Sequence, residues 1–347
     1  MKPNVLLSSL FASLLLLGAG CASNAPKDAE SSSAEPQELV KVDVCYSGDS
    51  GTQVVVWYAF EEGLFEKHGL DVNLVSVPGG STAATTLVSG EMDFCQIAGS
   101  AVVNAVVAGE DLVIIGGFFN THITSLMVLP EIETEEDLVG KAVAISKPGS
   151  ASDYQIRVVL QEMGLQPDDD VAVLAVGGQG ARLAAMESKQ VVGTVISPPN
   201  TVIARDRGYR ELVKLSDWNL PYQHTGVVTT RSYLADNPAA GEAFMKATIE
   251  AIAKLKNDPE GGKEVMAKYM LLDTEEDAKA LEEAYSYFVQ ETVSQPPYPT
   301  LEGISPLLSE LEKDNPTAAD FTPEDVVDVS VVTVIEESGF VEEVIQP

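Results

Sequence analysis

Apolar positions along this chain keep two rhythms, and they alternate. Lys41–Tyr46, Asp71–Val77 and Asp93–Ala98 are short β-rich stretches, and Leu112–Phe118 is a continuous apolar run of the kind found in a strand buried on both faces. Between them lie a loop at Ser47–Gln53 and a helix running through Phe65. Two further helices, Thr82–Ser89 and Ser100–Ala108, are each closed by a glycine, Gly90 and Gly109. A second set follows, with strands at Ser125–Leu129, Lys141–Ser146, Val171–Val176 and Val192–Ile196. Its helical stretches are a short one opened by Thr134-Glu135-Glu136-Asp137, one capped by Ser150 that runs to Met163, and those at Ala181–Ser188 and Thr201–Arg207. A further strand is expected at Gly226–Thr229. From Pro238 onward the pattern is largely helical, broken at Pro296-Pro297-Tyr298-Pro299. Strands and helices joined by short links predict an α/β protein layered around mainly parallel sheets.

The alternation divides the chain. It leaves a first α/β lobe near Asn120–Thr124 and returns near Tyr222–Gly226, so lobe 1 is expected from 39–121 plus 226–347 and lobe 2 from 122–225. Two crossover segments joining two lobes make a hinge, and a ligand cleft belongs between the lobes. Residues 1–20 read as a leader. Lys2 supplies the positive start, and Val5–Leu17 an apolar run too short to span a membrane. The leader ends Leu17-Gly18-Ala19-Gly20-Cys21, which resembles a lipoprotein processing site with Gly18 where a leucine is usual. On that reading Cys21 carries lipid, and residues 21–38, rich in Ser, Ala and Pro, form a tether.

Charge narrows the classes of partner. The 347 residues include 53 acidic and 21 basic side chains, a net charge of −32, which phosphate backbones repel, so no nucleic-acid partner is expected. A local cleft can still be positive within such a protein. Cys45 and Cys95 either bridge, as exported proteins allow, or are two small buried strand residues. The second reading is preferred, because adjacent parallel strands make strained bridges.

In open α/β sheets, ligands sit beyond the carboxyl ends of strands, where free N–H groups at helix starts attract anions and polar groups. That rule selects Ser50 and Gly51 after the first strand, Gly79, Gly80, Ser81 and Thr82 after the second, and Gly99 and Ser100 after the third. In lobe 2 it selects Gly149, Ser150, Ser152, the Gly178–Gly180 turn and Ser197. Any one of these is also an ordinary turn and helix cap. Trp57 and Tyr154 are either packing residues or walls for a planar ligand. Asn120 and His122 fall in one crossover and His224 in the other, which brings the two histidines toward the cleft floor. Two histidines without a third ligand make no metal site, and no cofactor is expected. Lys147, Arg157, Arg182 and Arg205 are candidates to balance an anion, and Trp57 with the hydroxyl-rich turns leans toward an organic acid or heteroaromatic compound. Gly48-Asp49-Ser50-Gly51 looks like a serine-protease nucleophile loop, but a triad needs mutual geometry that the fragment does not supply, so it is read as a binding turn. Gly177-Gly178-Gln179-Gly180 lacks the lysine of a phosphate loop.

Several stretches together resemble the solute-binding proteins of ABC importers. They are Trp57–Val72 (WYAFEEGLFEKHGLDV), Leu87–Phe94 (LVSGEMDF), Asp137–Lys141 (DLVGK), Gly149–Ser152 (GSAS), Gly208-Tyr209 and Glu337–Phe340 (ESGF). The branch resembled is the NMT1/THI5-like one, which includes nitrate, sulfonate, taurine and pyrimidine-precursor binders. The resemblance implies the type II periplasmic-binding fold, hinge closure on a small organic molecule, and a permease with its ATPase as partners. It also implies a place outside the cytoplasmic membrane, held there by the lipid anchor. It leaves two alternatives: an enzyme on the same scaffold, of pyrimidine-precursor or menaquinone-pathway type, or the sensing subunit of a membrane receptor.

Overall fold

The computed structural model describes residues 38–345. The leader, the lipidation expected at Cys21, and the tether as far as residue 37 lie outside the described residues. The chain starts with β1 (Val40–Ser47), a 3-10 turn at Gly51–Gln53, and α1 (Val54–Glu61). The single helix expected through Phe65 is two. Gly63, at φ 64°, takes a left-handed conformation that stops α1 and starts α2 (Leu64–Lys67). There follow β2 (Leu70–Val77), α3 (Gly80–Val88), β3 (Phe94–Ala98), α4 (Gly99–Val107) and β4 (Leu112–Gly117).

The second set comprises β5 (Ser125–Val128), β6 (Ala142–Ile145), α5 (Ala151–Glu162), β7 (Ala172–Ala175), α6 (Gln179–Glu187), β8 (Gly193–Ile196), α7 (Asn200–Asp206) and β9 (Arg210–Lys214). β9 was not anticipated from sequence: its residues RELVK carry charges at both ends and only partly buried apolar positions. The chain then returns through β10 (Thr225–Thr230). Eight-residue or longer helices α9 (Pro238–Leu255), α10 (Pro259–Met270), α11 (Ala278–Tyr285), α12 (Ser305–Glu312) and α13 (Ser330–Glu337) follow the short α8 (Arg231–Asp236), and α14 (Phe340–Ile345) ends the description.

Two five-stranded sheets result, in the orders β2-β1-β3-β10-β4 and β7-β6-β8-β5-β9. The sheets are mainly parallel, as expected, with one strand in each running against the other four. β1 pairs parallel with β2 and β3, and β6 parallel with β7 and β8. β10, however, runs antiparallel to β3 and β4, and β5 antiparallel to β8 and β9. Each is the strand by which the chain enters a sheet from the other one, so it arrives from the end where its neighbours finish. The two connecting segments run side by side, joined by a bridge between Thr121 and Pro221 and by His224 N donating to Phe119 O at 2.9 Å.

Both faces of the first sheet are covered. Val42 and Val44 of β1 join Trp57, Phe65, Phe94 and Phe244 in a core under the C-terminal helices, whereas Cys45 faces α3 and α4 with Leu87 and Val102. The alternation follows from the period of two along a strand. Cys45 and Cys95 are register partners on β1 and β3 and are joined by a disulfide, 4.4 Å apart at Cα. The two-free-cysteine reading is thereby overturned: direct register opposition brings these two side chains to the same face. A single cluster around Leu126, Val143, Ile156, Leu160 and Met186 forms the second sheet's core. Among the described residues no helix is long and apolar enough to cross a membrane.

Candidate functional site

The carboxyl ends of β1, β2, β6 and β8 converge on one cavity of about 110 Å³. That is well below the ~300–1,000 Å³ of sites for drug-sized ligands, so it suits a compact solute. Two larger grooves, of about 430 and 560 Å³, lie elsewhere. In the larger one the prominent cation, Arg205, is already paired with Glu211 and Glu283. That groove has one lining residue with an unpartnered buried polar atom, Thr201, whereas the small cavity has five.

From the second sheet, Ser150 caps α5: its Oγ accepts from Asp153 N, and it shares hydrogen bonds of 2.8 and 3.1 Å with Ser146 and Ser152. The cap is the one expected from sequence. Gln155, one turn on, accepts from Thr124 Oγ1 through Oε1. Gln179 at the start of α6 donates to Ser197 Oγ at 3.1 Å and accepts from Ser197 N at 3.0 Å. Arg182, on the same helix, is 4 % exposed and donates to Thr194 Oγ1 and Val195 O. From the first sheet come Asp49, Ser50, Gln53, Gly79 and Gly80, with His224 and Thr225 at the entry to β10. Ser50 and Ser197 share a hydrogen bond of 3.2 Å that crosses the cleft. Gly79, at φ 85°, sits in the left-handed region that favours glycine, and a Cβ there would come 3.5 Å from Ser146 Oγ.

Five residues lining this cavity each carry a buried polar atom with no partner within the protein: Gln53 Oε1, Gln155 Nε2, Arg182 Nε, His224 Nδ1 and Thr225 Oγ1. Groups of that kind are rare in a packed interior, because each one left unpaired costs about 1–3 kcal/mol. Here the residues that carry them come from both lobes and line one cavity. Burial lowers the His224 pKa to about 3, with the charge of His122 adding to the effect, so the ring is neutral at pH 7. Burial likewise lowers Arg182 to about 10, leaving it protonated.

Of the residues expected at the site, Ser50, Gly79, Gly80, Ser150, Ser152, Ser197 and His224 line the cavity. The others are placed elsewhere. Trp57 is fully buried in the first core, stacked on Tyr269 at 4.9 Å and meeting Tyr46 edge-on, so it is no wall of the cleft. Gly51 lies beneath Phe288, where a Cβ would come 2.6 Å from the ring. Gly99 packs against the Gln223 backbone, and Asn120 Nδ2 donates to Tyr298 O. Ser81 and Thr82 join the lobes instead: Ser81 Oγ donates to Pro148 O, and Lys147 Nζ donates to Thr82 Oγ1. Ser100, Gly149 and Tyr154 line a separate cavity of about 120 Å³. His122 stacks at 4.3 Å on Tyr222, which is itself parallel to Tyr154, and burial lowers the histidine's pKa to about 4.

Among the four cations proposed to balance an anion, only Arg182 lines the cavity; Arg157 is paired with Asp153 and Asp168. Sequence reasoning passed over Gln53, Gln155 and Thr225, whose amides and hydroxyl mark nothing until the fold aims them inward. It placed Asp49 in a binding turn without giving its carboxylate a role. That carboxylate crosses the cleft to the start of α6, where Oδ1 accepts from Gln179 N at 3.1 Å and Oδ2 from Gly180 N at 3.3 Å. Gly178, the residue preceding α6, has no side chain to cap the helix with, so Asp49 does that work from the other lobe. Among the described residues there is no group of three or more His, Cys, Asp or Glu able to hold a metal ion.

Known proteins share this architecture. The alkanesulfonate-binding protein SsuA from Xanthomonas axonopodis pv. citri, bound to MOPS, matches with a TM-score of 0.68 and 20% identity, covering 81% of this chain and 94% of that one. The nitrate-binding protein NrtA from Synechocystis PCC 6803 matches with a TM-score of 0.70 and 14% identity, covering 87% and 89%. A Brucella abortus (strain 2308) protein, described no further than as a binding protein, is 26% identical over 239 residues, 67% of this chain and 73% of its own length. The fold is the periplasmic-binding-protein fold, with two α/β lobes joined by two crossover segments. Residues 52–261 match the family model described as NMT1/THI5 like, and the chain belongs to that family.

Proposed function

We propose that this chain is the solute-binding component of an ABC importer, capturing a small organic molecule between a lobe of residues 39–121 with 226–347 and a lobe of 122–225. The observation that carries the reading is one inter-lobe cavity lined by five residues that each hold an unpartnered buried polar atom. A solute supplying their hydrogen bonds binds the closed arrangement better than the open one, and that difference is what drives closure. Ser50, Gly79, Gly80, Ser150, Ser152, Ser197 and His224 are the proposed contacts carried over from sequence, joined by Gln53, Gln155, Arg182 and Thr225. The binding proteins of like fold and the Brucella relative support capture over catalysis. The serines of the cleft support it too, being engaged with one another and with helix caps rather than with a base. Export and lipidation at Cys21 place the protein outside the cytoplasmic membrane, beside a permease and its ATPase.

The test is a thermal-shift screen of small polar solutes, followed by calorimetry on the wild type and on Gln155→Trp, which fills the cavity. A solute at 100 times its Kd raises stability by about 2.7 kcal/mol. Binding that is lost in Gln155→Trp supports the reading. Binding that survives in that variant places the site elsewhere and overturns it.

A further inference from the structure

Charge in the cleft is closed on itself. Only two of the residues lining the cavity are charged at neutral pH: Asp49 from the first lobe and Arg182 from the second. Asp49 is the carboxylate whose charge bears on the Arg182 guanidinium. The same carboxylate accepts the Gln179 and Gly180 N–H groups, the place at a helix start where a ligand anion would otherwise sit. Space for it is provided by Gly178, where a Cβ would lie 2.7 Å from Asp49 Oδ1. A second observation points to a ligand here: Arg182, only 4 % exposed, lines the cavity, and its Nε is buried without a partner.

We infer that Asp49 sets the charge class of the solute: as the carboxylate that caps α6 and shares the cavity lining with Arg182, it makes the closed cleft accept an uncharged hydrogen-bonding molecule and reject simple anions. This rests on the reading of the cleft as a capture site. An anion entering the closed cavity would leave a net negative charge in a poorly solvated space and would face a carboxylate already holding the best donors. Like charges in such a space repel far more strongly than in water. The unpartnered atoms have the complementary character, for Gln155 Nε2 and Arg182 Nε donate while Gln53 Oε1 accepts. An amide-like or hydroxylated neutral group offers both roles at once. The organic-acid leaning drawn from Trp57 and the cations is weakened, since Trp57 is in the core and a carboxylate already shares the cavity lining with Arg182.

The experiment uses the full chain and matched probes at neutral pH, acetamide against acetate and methanesulfonamide against methanesulfonate, titrated by calorimetry into the wild type, Asp49→Asn and Asp49→Ser. Circular dichroism and melting curves establish that each variant is folded, and the serine variant retains a hydroxyl able to cap α6. In the wild type the neutral member of each pair is expected to bind at least about tenfold more tightly. In the variants the anion is expected to gain about tenfold or more. Anions bound by the wild type as tightly as their neutral partners would overturn the assignment, as would unchanged anion affinity in both variants or silence from all four probes in all three proteins. An anion whose binding to the wild type is lost in Gln155→Trp would sink the role of Asp49 alone and leave capture in the cleft standing.

Discussion

The two lobes follow one plan and are held together differently. In lobe 1 the paired strands β1 and β2 are eight residues long, a disulfide ties β1 to β3, and apolar clusters cover both faces of the sheet. Lobe 2 has four-residue strands at β5, β6, β7 and β8 and one main core, and its edge strand β7 leaves Leu174 43 % exposed. The cleft divides along the same line. Lobe 1 contributes Asp49 and the acceptor Gln53 Oε1, whereas lobe 2 contributes Arg182 and the donor Gln155 Nε2. A heavily braced platform thus carries the carboxylate and a lighter lobe the guanidinium, and both line one cavity.

The largest test of this contrast is Trp57→Ala. Truncating a fully buried aromatic in lobe 1 should lower stability by about 3–5 kcal/mol, measured by denaturant melting, while the folded fraction keeps its solute affinity. A variant that keeps its stability and loses affinity would return Trp57 to the cleft. Next is the double substitution Cys45→Ala with Cys95→Ala, expected to cost about 2–4 kcal/mol. Hydrogen exchange should rise in β1 and β3 ahead of β6 and β8. Equal loosening of both sheets would mean that the bridge braces the whole molecule.

The hinge between the lobes provides the third test. His122 and His224 are buried and neutral, with pKa values lowered to about 4 and about 3, whereas an unfolded imidazole titrates near ~6.5. Below that value the unfolded chain binds protons that the folded one refuses. The stability contribution is therefore fully present above pH ~6.5 and is lost as pH falls toward 4 and then 3, at about 1.4 kcal/mol per pH unit for each ring. His122→Phe retains the stack on Tyr222 and should flatten that slope by one proton between pH 4 and 6, read from denaturant midpoints. An unchanged slope would show that His122 does not titrate with unfolding.

The smallest effect is expected at the contact between lobes. Gly178→Ala places a Cβ against Asp49 Oδ1 and should weaken the cap on α6 by about 0.3–1 kcal/mol. Small-angle scattering should show a larger open fraction, with overall melting little changed. A closed fraction that does not move would remove Asp49 from the balance between open and closed forms.

Much of the fold was legible because its signals are local. Gly90, Gly109 and Gly164 fall just past helices, at φ 73°, 95° and 76°, and Ser150 caps α5 by accepting from Asp153 N three residues on. Strand and helix periods survive whatever they pack against, so most boundaries lie within a residue or two of expectation. The candidate site was legible only as a set of turns. Gly79 and Gly99 look alike in sequence, each small and each at a strand end, yet the first borders the cavity and the second is pressed on Gln223.

By itself, then, the sequence determined the alternation of strands and helices, the turns that could cap a helix, and two separate runs of α/β pattern, since each depends on residues within a few positions of one another. Only the tertiary structure decided that β5 and β10 run against their neighbours, that Cys45 meets Cys95, and that Trp57 turns inward. It also decided that Asp49 caps a helix 130 residues away. Those outcomes depend on which surfaces become adjacent once two sheets have formed and closed on each other, and no local period or turn carries that information.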